Sequence, residues 1–466
     1  MNVDVVIVGG GIAGLSAGFE LQKRGLSFVV LERAPRTGGV ILSEQVGGFV
    51  VDGGPDALLT QKPEGIALCE ELGIANRLVP TTPPRLAYIQ RDGRLHALPA
   101  HSVLGIPTRF GPFIRTGLFT WAGKMRMAAE MFVPPRKDTG DESIGSFMRR
   151  RFGNEAVAYL AEPLLAGIHA GDVDRLSIRA LFPRFVYTEQ KYGSLLRAFR
   201  RQRPAAAPSA DGVFRSFPNG LSELVDAVTK ALPAQSIRLG TAAQRISRAP
   251  RPERAQPVEG WRVEATDGTT YSGRAVIATS PAYVTADLVR DVDADLAHLC
   301  ADIPYASSGT IALAFPRSAV AHPLNGSGFV VPRVERTGIM AASWLSSKWP
   351  NRAPEGQVLM RAFVGGARDP GALEQTDDEL VTIAMSALGP LLGISGAPSM
   401  TRVYRFERKS AQHNVGHLDR MAAIERLLAA QPGLFVTGSG FRGVGIPDCV
   451  ADARATARKV SECLKT

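Results

Sequence analysis

Cysteine is scarce in this chain and scattered: Cys69, Cys300, Cys449 and Cys463 are the four in 466 residues, and no two stand in C-x-x-C spacing. That excludes a disulfide scaffold and a zinc ribbon and suits a reducing cytosol. No G-x-S-x-G and no P-loop occur, which argues against an α/β-hydrolase and a P-loop nucleotide hydrolase. The longest uncharged run, 380–401, could cross a bilayer, but Gly389, Pro390, Gly393, Gly396 and Pro398 break it, and no transmembrane helix is expected. A strand-like run starts by Val3, leaving no basic n-region and no cleavable signal before it, so the expected location is the cytoplasm. Acidic residues are the minority, 44 against 54 Lys plus Arg, for a net charge of +10. Such a surface attracts nucleic acid, anionic lipid or acidic small molecules. The cations are dispersed rather than blocked and no zinc-finger or RNA-binding aromatic signature is present, so nucleic acid is not an expected partner.

What the chain does have is apolar residues and glycine. At 45% hydrophobic it can bury a substantial core in two or three lobes. The run VVIV leads into GGGIAG, giving Gly9-x-Gly11-x-x-Gly14, and FVVLE ends on Glu32. Strand, tight turn, helix, second strand and acidic residue follow in the order of a dinucleotide-binding βαβ unit. Gly9 permits the turn, Gly11 lets the backbone approach a pyrophosphate, and Gly14 lets the helix pack on the strand. Gly10, Ile12 and Ala13 complete the segment whose N–H groups face the phosphates, and Glu32 would hold ribose hydroxyls.

The next segments narrow the cofactor. ERAPRTGGV carries Arg33, Arg36, Gly38, Gly39 and Val40 into a loop, and VDGGPDA adds Gly54, Pro55, Asp56 and Ala57. Here the chain resembles the flavoprotein group of amine oxidases, phytoene desaturases and protoporphyrinogen oxidases, in which an E-x-x-x-R-x-G-G segment lines FAD. The resemblance therefore implies FAD rather than NAD. Near the C-terminus, PGLFVTGSGFRGVGIPDC reads as a strand at 434–437, a glycine-rich loop containing Gly438, and a helix from about Ile446. In the resembled group this helix start faces the flavin pyrimidine ring, which assigns Val444, Gly445 and Ile446 to that edge, where a helix dipole stabilises anionic reduced flavin.

The organisation predicted is α/β: a Rossmann-like FAD-binding domain, an α+β substrate domain and a helical insert, in an amine-oxidase-like architecture. The FAD domain is expected to be discontinuous, over 1–80, 214–282 and 401–466. Within it IRLGTAAQRISR reads as a strand pair, and WRVEATDGTTYSGRAVIATSP as a hairpin turning at Asp267-Gly268. Residues 81–99 and 283–400 form the substrate domain, with IALAF, GFVVP and VLMRAFVGG in an antiparallel sheet. Residues 100–213 form a helical lid or membrane-facing domain, because aromatic and aliphatic residues there alternate with Arg109, Arg115, Lys124 and Arg126. RRQRPAAAPSADG at 200–212 reads as a mobile loop.

Outside the FAD motifs, GIHAGDVDRLSIRALFP at 167–183, GFVVP at 328–332, the Gly365-Gly366 turn, QHNVGH at 412–417 and the closing GVGIPDC are similar to the oxygen-dependent protoporphyrinogen and coproporphyrinogen III oxidases of haem synthesis. LGIPTRFGPFIRTGLF and SSKWPNRAPEGQVLMRAFVG look closest to the Gram-positive bacterial type. The resemblance implies six-electron oxidation of a porphyrinogen, with O2 as acceptor and H2O2 as product. It leans towards coproporphyrinogen III over protoporphyrinogen IX. It also allows peripheral attachment to the inner face of the membrane and handover to other enzymes of haem synthesis. Ala243 matches the adenine-contacting position and Arg85 the propionate-docking position; Gly171, Val330, Ile339 and Phe363 match the apolar wall around the macrocycle. No catalytic base is assigned. His413 and His417 have i,i+4 spacing but lack a third ligand, so no metal is expected. The competing readings are another FAD-dependent desaturase or amine oxidase, and a non-catalytic binding protein of the same fold.

Overall fold

The computed structural model describes residues 1–98, 102–103, 106–107, 110–138, 140–201, 211–249 and 260–465. Two seven-stranded sheets organise it. In the first, the strand Asn2–Val8 runs parallel between Phe28–Leu31 and Thr270–Ala278. Helices cover both of its faces, which is why the sequence reads as an unbroken apolar run. Successive side chains serve different cores. Val5 and Ile7 pack with the helices Ile12–Lys23 and Ile446–Cys463, whereas Val6 and Val8 pack with Ala282–Val289, Ala294–Ala301 and His417–Ala429.

The predicted hairpin is present: Trp261–Ala265 pairs antiparallel with Thr270–Ala278, and Gly268 supplies the positive φ its turn requires. The short strand Leu434–Val436 pairs in parallel with the last residues of Thr270–Ala278. The two strands read in IRLGTAAQRISR form but do not pair with each other. Ile237–Arg238 joins Phe28–Leu31 at one edge, and Ala243–Arg248 joins Trp261–Ala265 at the other.

The second sheet runs Met400–Ala411, Tyr305–Pro316, Gln357–Gly365, Ala341–Ser343, Gly328–Val330, Ala87–Arg91, Arg94–Ala97. It is antiparallel except where Gly328–Val330 meets Ala87–Arg91 in parallel. Met400–Ala411 is its edge strand, so residues 401–411 pair within this sheet. The helix Asp377–Leu392 covers the far face, started by a capping box between Thr376 and Glu379 and stopped by Gly393 in the left-handed region. It takes up most of the uncharged run 380–401. Among the described residues no helix is long and apolar enough to cross a membrane.

Between these sheets the chain forms a helical lobe, from Phe110–Arg115 to Leu195–Arg201. Its centre holds the fully buried pair Arg151 and Glu130; Glu130 also accepts from Ser194 Oγ and from the amides of Leu195 and Leu196, capping the last helix of the lobe. Most of the loop expected at 200–212, and Arg109, lie outside the described residues.

Candidate cofactor and substrate site

The glycine motif forms a cradle. A Cβ on Gly14 would lie 1.9 Å from the Gly9 carbonyl oxygen, so strand and helix can approach this closely only without one. A Cβ on Gly11 would meet nothing within 4 Å, which leaves its face open to a ligand. Gly38 closes the cradle by bridging to Gly11, its amide donating to the Gly10 carbonyl at 2.8 Å. Arg36 holds the loop rather than projecting from it, donating to the carbonyls of Thr37, Gly39 and Ile41 at 3.0, 2.6 and 3.0 Å. Val40 is exposed, and its carbonyl leaves no room for a side chain at Gly54.

Glu32 accepts from the amides of Gly10 and Ala34 at 2.7 and 2.8 Å, and its carbonyl receives the Thr241 amide at 2.9 Å. That last bond places Ala243, two residues on in the chain, near the Glu32 end of the cradle. Arg33 is exposed. A cation missed from the sequence, Lys409 on the edge strand of the second sheet, faces this end: burial and Arg33 push its ammonium pKa down, with Glu32 opposing.

A second helix start lies opposite. Gly438, at φ +111°, sits within 3.8 Å of Ala13 at the position of a Cβ, and Ile446–Cys463 begins at Gly445 with Pro447 in its first turn. Neither Gly11 nor Gly445 gives its helix a side-chain cap. Two uncapped N-termini, an open glycine face and nearby cations are the donor set that an extended dinucleotide pyrophosphate requires. These residues fit FAD.

The VDGGPD turn is held by the second sheet. Arg361 donates to the carbonyls of Asp52 and Gly54, and Thr310 Oγ1 to that of Gly53 at 2.7 Å. The Asp56 carboxylate, read from sequence as cofactor-facing, instead meets Lys348 Nζ at 2.7 Å, Trp349 Nε1 at 2.8 Å and Arg361 at 3.2 Å. Burial opposes its ionisation, but the charges of Lys348 and Arg361 outweigh that and hold its pKa well below the usual carboxylate range. Pro55 and Ala57 flank it, half-buried. Asp52 and Arg352, both fully buried, pair at 2.9 Å behind the turn.

Arg361 and Phe363 share a face of Gln357–Gly365, with the guanidinium 4.7 Å from the ring centroid. Phe363 packs on Ala166, Ala170 and Met340, and Val330 lies against Gly167, so the helix Glu162–His169 and the sheet form one apolar wall. Gly171 closes its end: a Cβ there would lie 2.6 Å from Gln412 and Leu176. Ile339 is not on this wall. It lies in the loop ahead of the strand Ala341–Ser343 and is buried in the core that includes Leu380 and Ala384, under the helix Asp377–Leu392.

Two cations flank a small sheet formed by Leu58–Leu59, Phe214–Ser216 and Val79–Pro80. Arg85 is exposed and donates to Thr81 Oγ1 at 3.0 Å. Lys62, unremarked in the sequence, pairs with Asp448 at 2.6 Å in the first turn of the C-terminal helix. Burial, with Lys62 adding to it, pushes the His169 pKa down to about 4. Burial likewise pushes the thiols of Cys69, Cys300 and Cys449 up to about 12, which suits none of them to nucleophilic work. On the helical lobe Trp121, Met125 and Phe132 are 68%, 69% and 79% exposed.

With this geometry in place, comparison with known proteins is informative. Residues 12–461 match the family of flavin containing amine oxidoreductases. The chain is 36% identical to the coproporphyrinogen III oxidase of Bacillus subtilis, over 97% of this chain and 96% of that one, and 31% identical to that of Staphylococcus aureus, over 99% of both. A solved structure from Exiguobacterium sp. 255-15, assigned as a protoporphyrinogen oxidase, superposes with a TM-score of 0.86 at 31% identity and 99% coverage of both chains. The cyclohexylamine oxidase of Brevibacterium oxydans shares the fold, with a TM-score of 0.72 at 15% identity over the full length of both chains. The chain belongs to the flavin-containing amine oxidoreductase family, in the branch of the coproporphyrinogen III and protoporphyrinogen oxidases, and is an FAD-dependent oxidoreductase.

Proposed function

We propose that the chain oxidises a porphyrinogen to the corresponding porphyrin in haem formation, taking coproporphyrinogen III ahead of protoporphyrinogen IX. The observation that carries this reading is an apolar wall, Val330, Phe363, Ala170 and Met340, set beside the glycine turn held by Arg361. No member of that wall can act as a base, and the nearby His169 is kept neutral. A porphyrinogen asks for little more, since a meso CH2 gives up a hydride while a pyrrole N–H releases a proton. FAD, when bound, supplies the two-electron acceptor and passes the electrons to O2. Three rounds remove six electrons and six hydrogens from the macrocycle, and three O2 become three H2O2.

The chain's own part is placement. The wall orients an apolar macrocycle and keeps water from it. Arg85 supplies a cation for a propionate and is suited to bidentate carboxylate binding. The names of the relatives support the coproporphyrinogen preference. The exposed Trp121, Met125 and Phe132 support peripheral contact with a membrane, from which product could pass to a later enzyme of the pathway.

The test is anaerobic flavin reduction by each porphyrinogen in turn, followed by aerobic turnover read through porphyrin fluorescence and H2O2. Faster reduction by coproporphyrinogen III is expected. Faster reduction by protoporphyrinogen IX would reverse the preference, and reduction by neither, with FAD bound, would overturn the reading in favour of another desaturase or amine oxidase.

A further inference from the structure

We propose that His413 and His417 are positioning residues: a neutral, stacked pair that fixes the 438–445 turn and thereby the Val444–Ile446 helix start against the flavin. The two rings lie 3.9 Å apart, centroid to centroid, and 9° from parallel, and both are buried. His413 Nε2 is 3.0 Å from the Ser439 carbonyl and His417 Nε2 is 2.8 Å from that of Phe441. A carbonyl oxygen only accepts, so each Nε2 must carry the hydrogen, and geometry alone assigns both tautomers.

Neutrality follows from the same contacts. The Nδ1 atom of His417 is buried and has no partner, so an added proton there would be a donor without an acceptor. Both rings are buried, so a charge on either would lose its hydration. The pair therefore offers two fixed donors and no charge.

The segment that carries the pair is tied to the helical lobe. The Ser177 amide donates to the His413 carbonyl at 2.9 Å, the Val415 amide to the Arg175 carbonyl at 2.9 Å, and the Gly416 amide to Asp141 at 3.2 Å. Gln412 Nε2 reaches the His169 carbonyl at 2.9 Å, at the end of the substrate wall. The imidazoles thus transmit the position of the helical lobe to alternate carbonyls of the turn that ends at Gly445. A mispositioned turn would move the positive end of the Ile446–Cys463 dipole away from the charge that reduced flavin carries. Without the pair, reduced cofactor should be held less well than oxidised cofactor.

This inference rests on the reading that residues 444–446 face the flavin, and the test separates the two. The midpoint potential and the FAD dissociation constant are measured on purified holoenzyme for wild type, His413→Phe, His417→Phe, His413→Gln and Gly445→Val. Phenylalanine keeps the stack and removes the donor, whereas glutamine returns a donor at the Nε2 position. The expected result is FAD held about tenfold less tightly in either Phe variant, the loss of one hydrogen bond. The potential should fall by about 30 mV, the two-electron equivalent of a further tenfold against the reduced form. His413→Gln should recover most of both.

If the Phe variants change only Tm while Gly445→Val shifts the potential, the pair is structural and the proposal is wrong, but the turn still faces the flavin. If Gly445→Val also leaves the potential unmoved, the reading beneath it fails as well. Should the variants not fold, 15N imidazole spectra of the wild-type holoenzyme decide: two Nε2–H tautomers support the pair, and an Nδ1–H tautomer or an imidazolium at either ring overturns it.

Discussion

Arg361 and Asp56 face each other at 3.2 Å, and the other arm of the same guanidinium donates to the Gly54 carbonyl at 2.5 Å. One side chain of the second sheet therefore grips both ends of the glycine turn that lines the cofactor lobe. The turn gains its shape from a strand 305 residues away in sequence.

Asp56→Asn should be costly because it leaves Lys348 and Arg361 without their counter-charge. A loss of about 3–5 kcal/mol is expected for breaking a buried pair from one side. Urea unfolding of the apoprotein measures it. Trp349→Phe, which removes a single donor to the same carboxylate, should cost only about 1–2 kcal/mol.

Gly11 and Gly14 should respond differently to alanine. Gly14→Ala places a methyl 1.9 Å from the Gly9 carbonyl and should disrupt the strand–helix packing itself, lowering Tm with or without FAD. Gly11→Ala meets no protein atom, so the apoprotein should melt as wild type does while flavin absorbance per chain falls sharply. Equal behaviour of the two variants would mean that the open face is not where the cofactor lies.

Acid should weaken the fold in a definite window. Burial, followed by His417, pushes His413 down to about 3, and burial lowers His417 as well. Unfolded histidines bind protons near pH 6.5 and the folded ones do not. The unfolded state therefore takes up more protons below that pH, and stability present above about 6.5 is lost as pH falls, for His413 towards about 3 at about 1.4 kcal/mol per pH unit, with His417 adding in the same direction. Denaturant titrations from pH 8 to pH 4 should show this slope, reduced by one histidine's share in His413→Phe.

The substrate wall can be tested by contrast. Val330→Phe intrudes beside Gly167 and should raise KM for coproporphyrinogen III about tenfold or more with the flavin spectrum unchanged. Ile339→Val, behind the sheet, should cost about 0.5–1.5 kcal/mol of stability and leave KM unchanged. A KM effect at Ile339 equal to that at Val330 would place both on the wall.

The sequence by itself determined the elements whose chemistry is local. VVIVGGGIAG can hardly be anything but strand, turn and helix, because an apolar run needs covering on two faces and Gly9 and Gly14 occupy positions where a Cβ meets backbone. The hairpin at Gly268 and the helix from Ile446 were legible for similar reasons, and the flavin class was legible through the family resemblance that the glycine segments carry. What lay beyond reach was the meeting of distant residues. Asp56 reads as part of a cofactor loop, and only the fold turns its carboxylate to Lys348, 292 residues on. Ile339 and Val330 look alike in sequence, and only packing sends Val330 towards Gly167 and Ile339 into the core with Leu380. Lys62, Lys409 and Arg361 carry no local signal at all, since a lone cation in a mixed segment gains meaning only from the charge or carbonyl that tertiary structure sets against it. His413 and His417 show the division most clearly: their spacing suggested a metal to be weighed and dismissed, whereas packing stacked the rings and aimed each at a carbonyl of the turn ahead of the C-terminal helix.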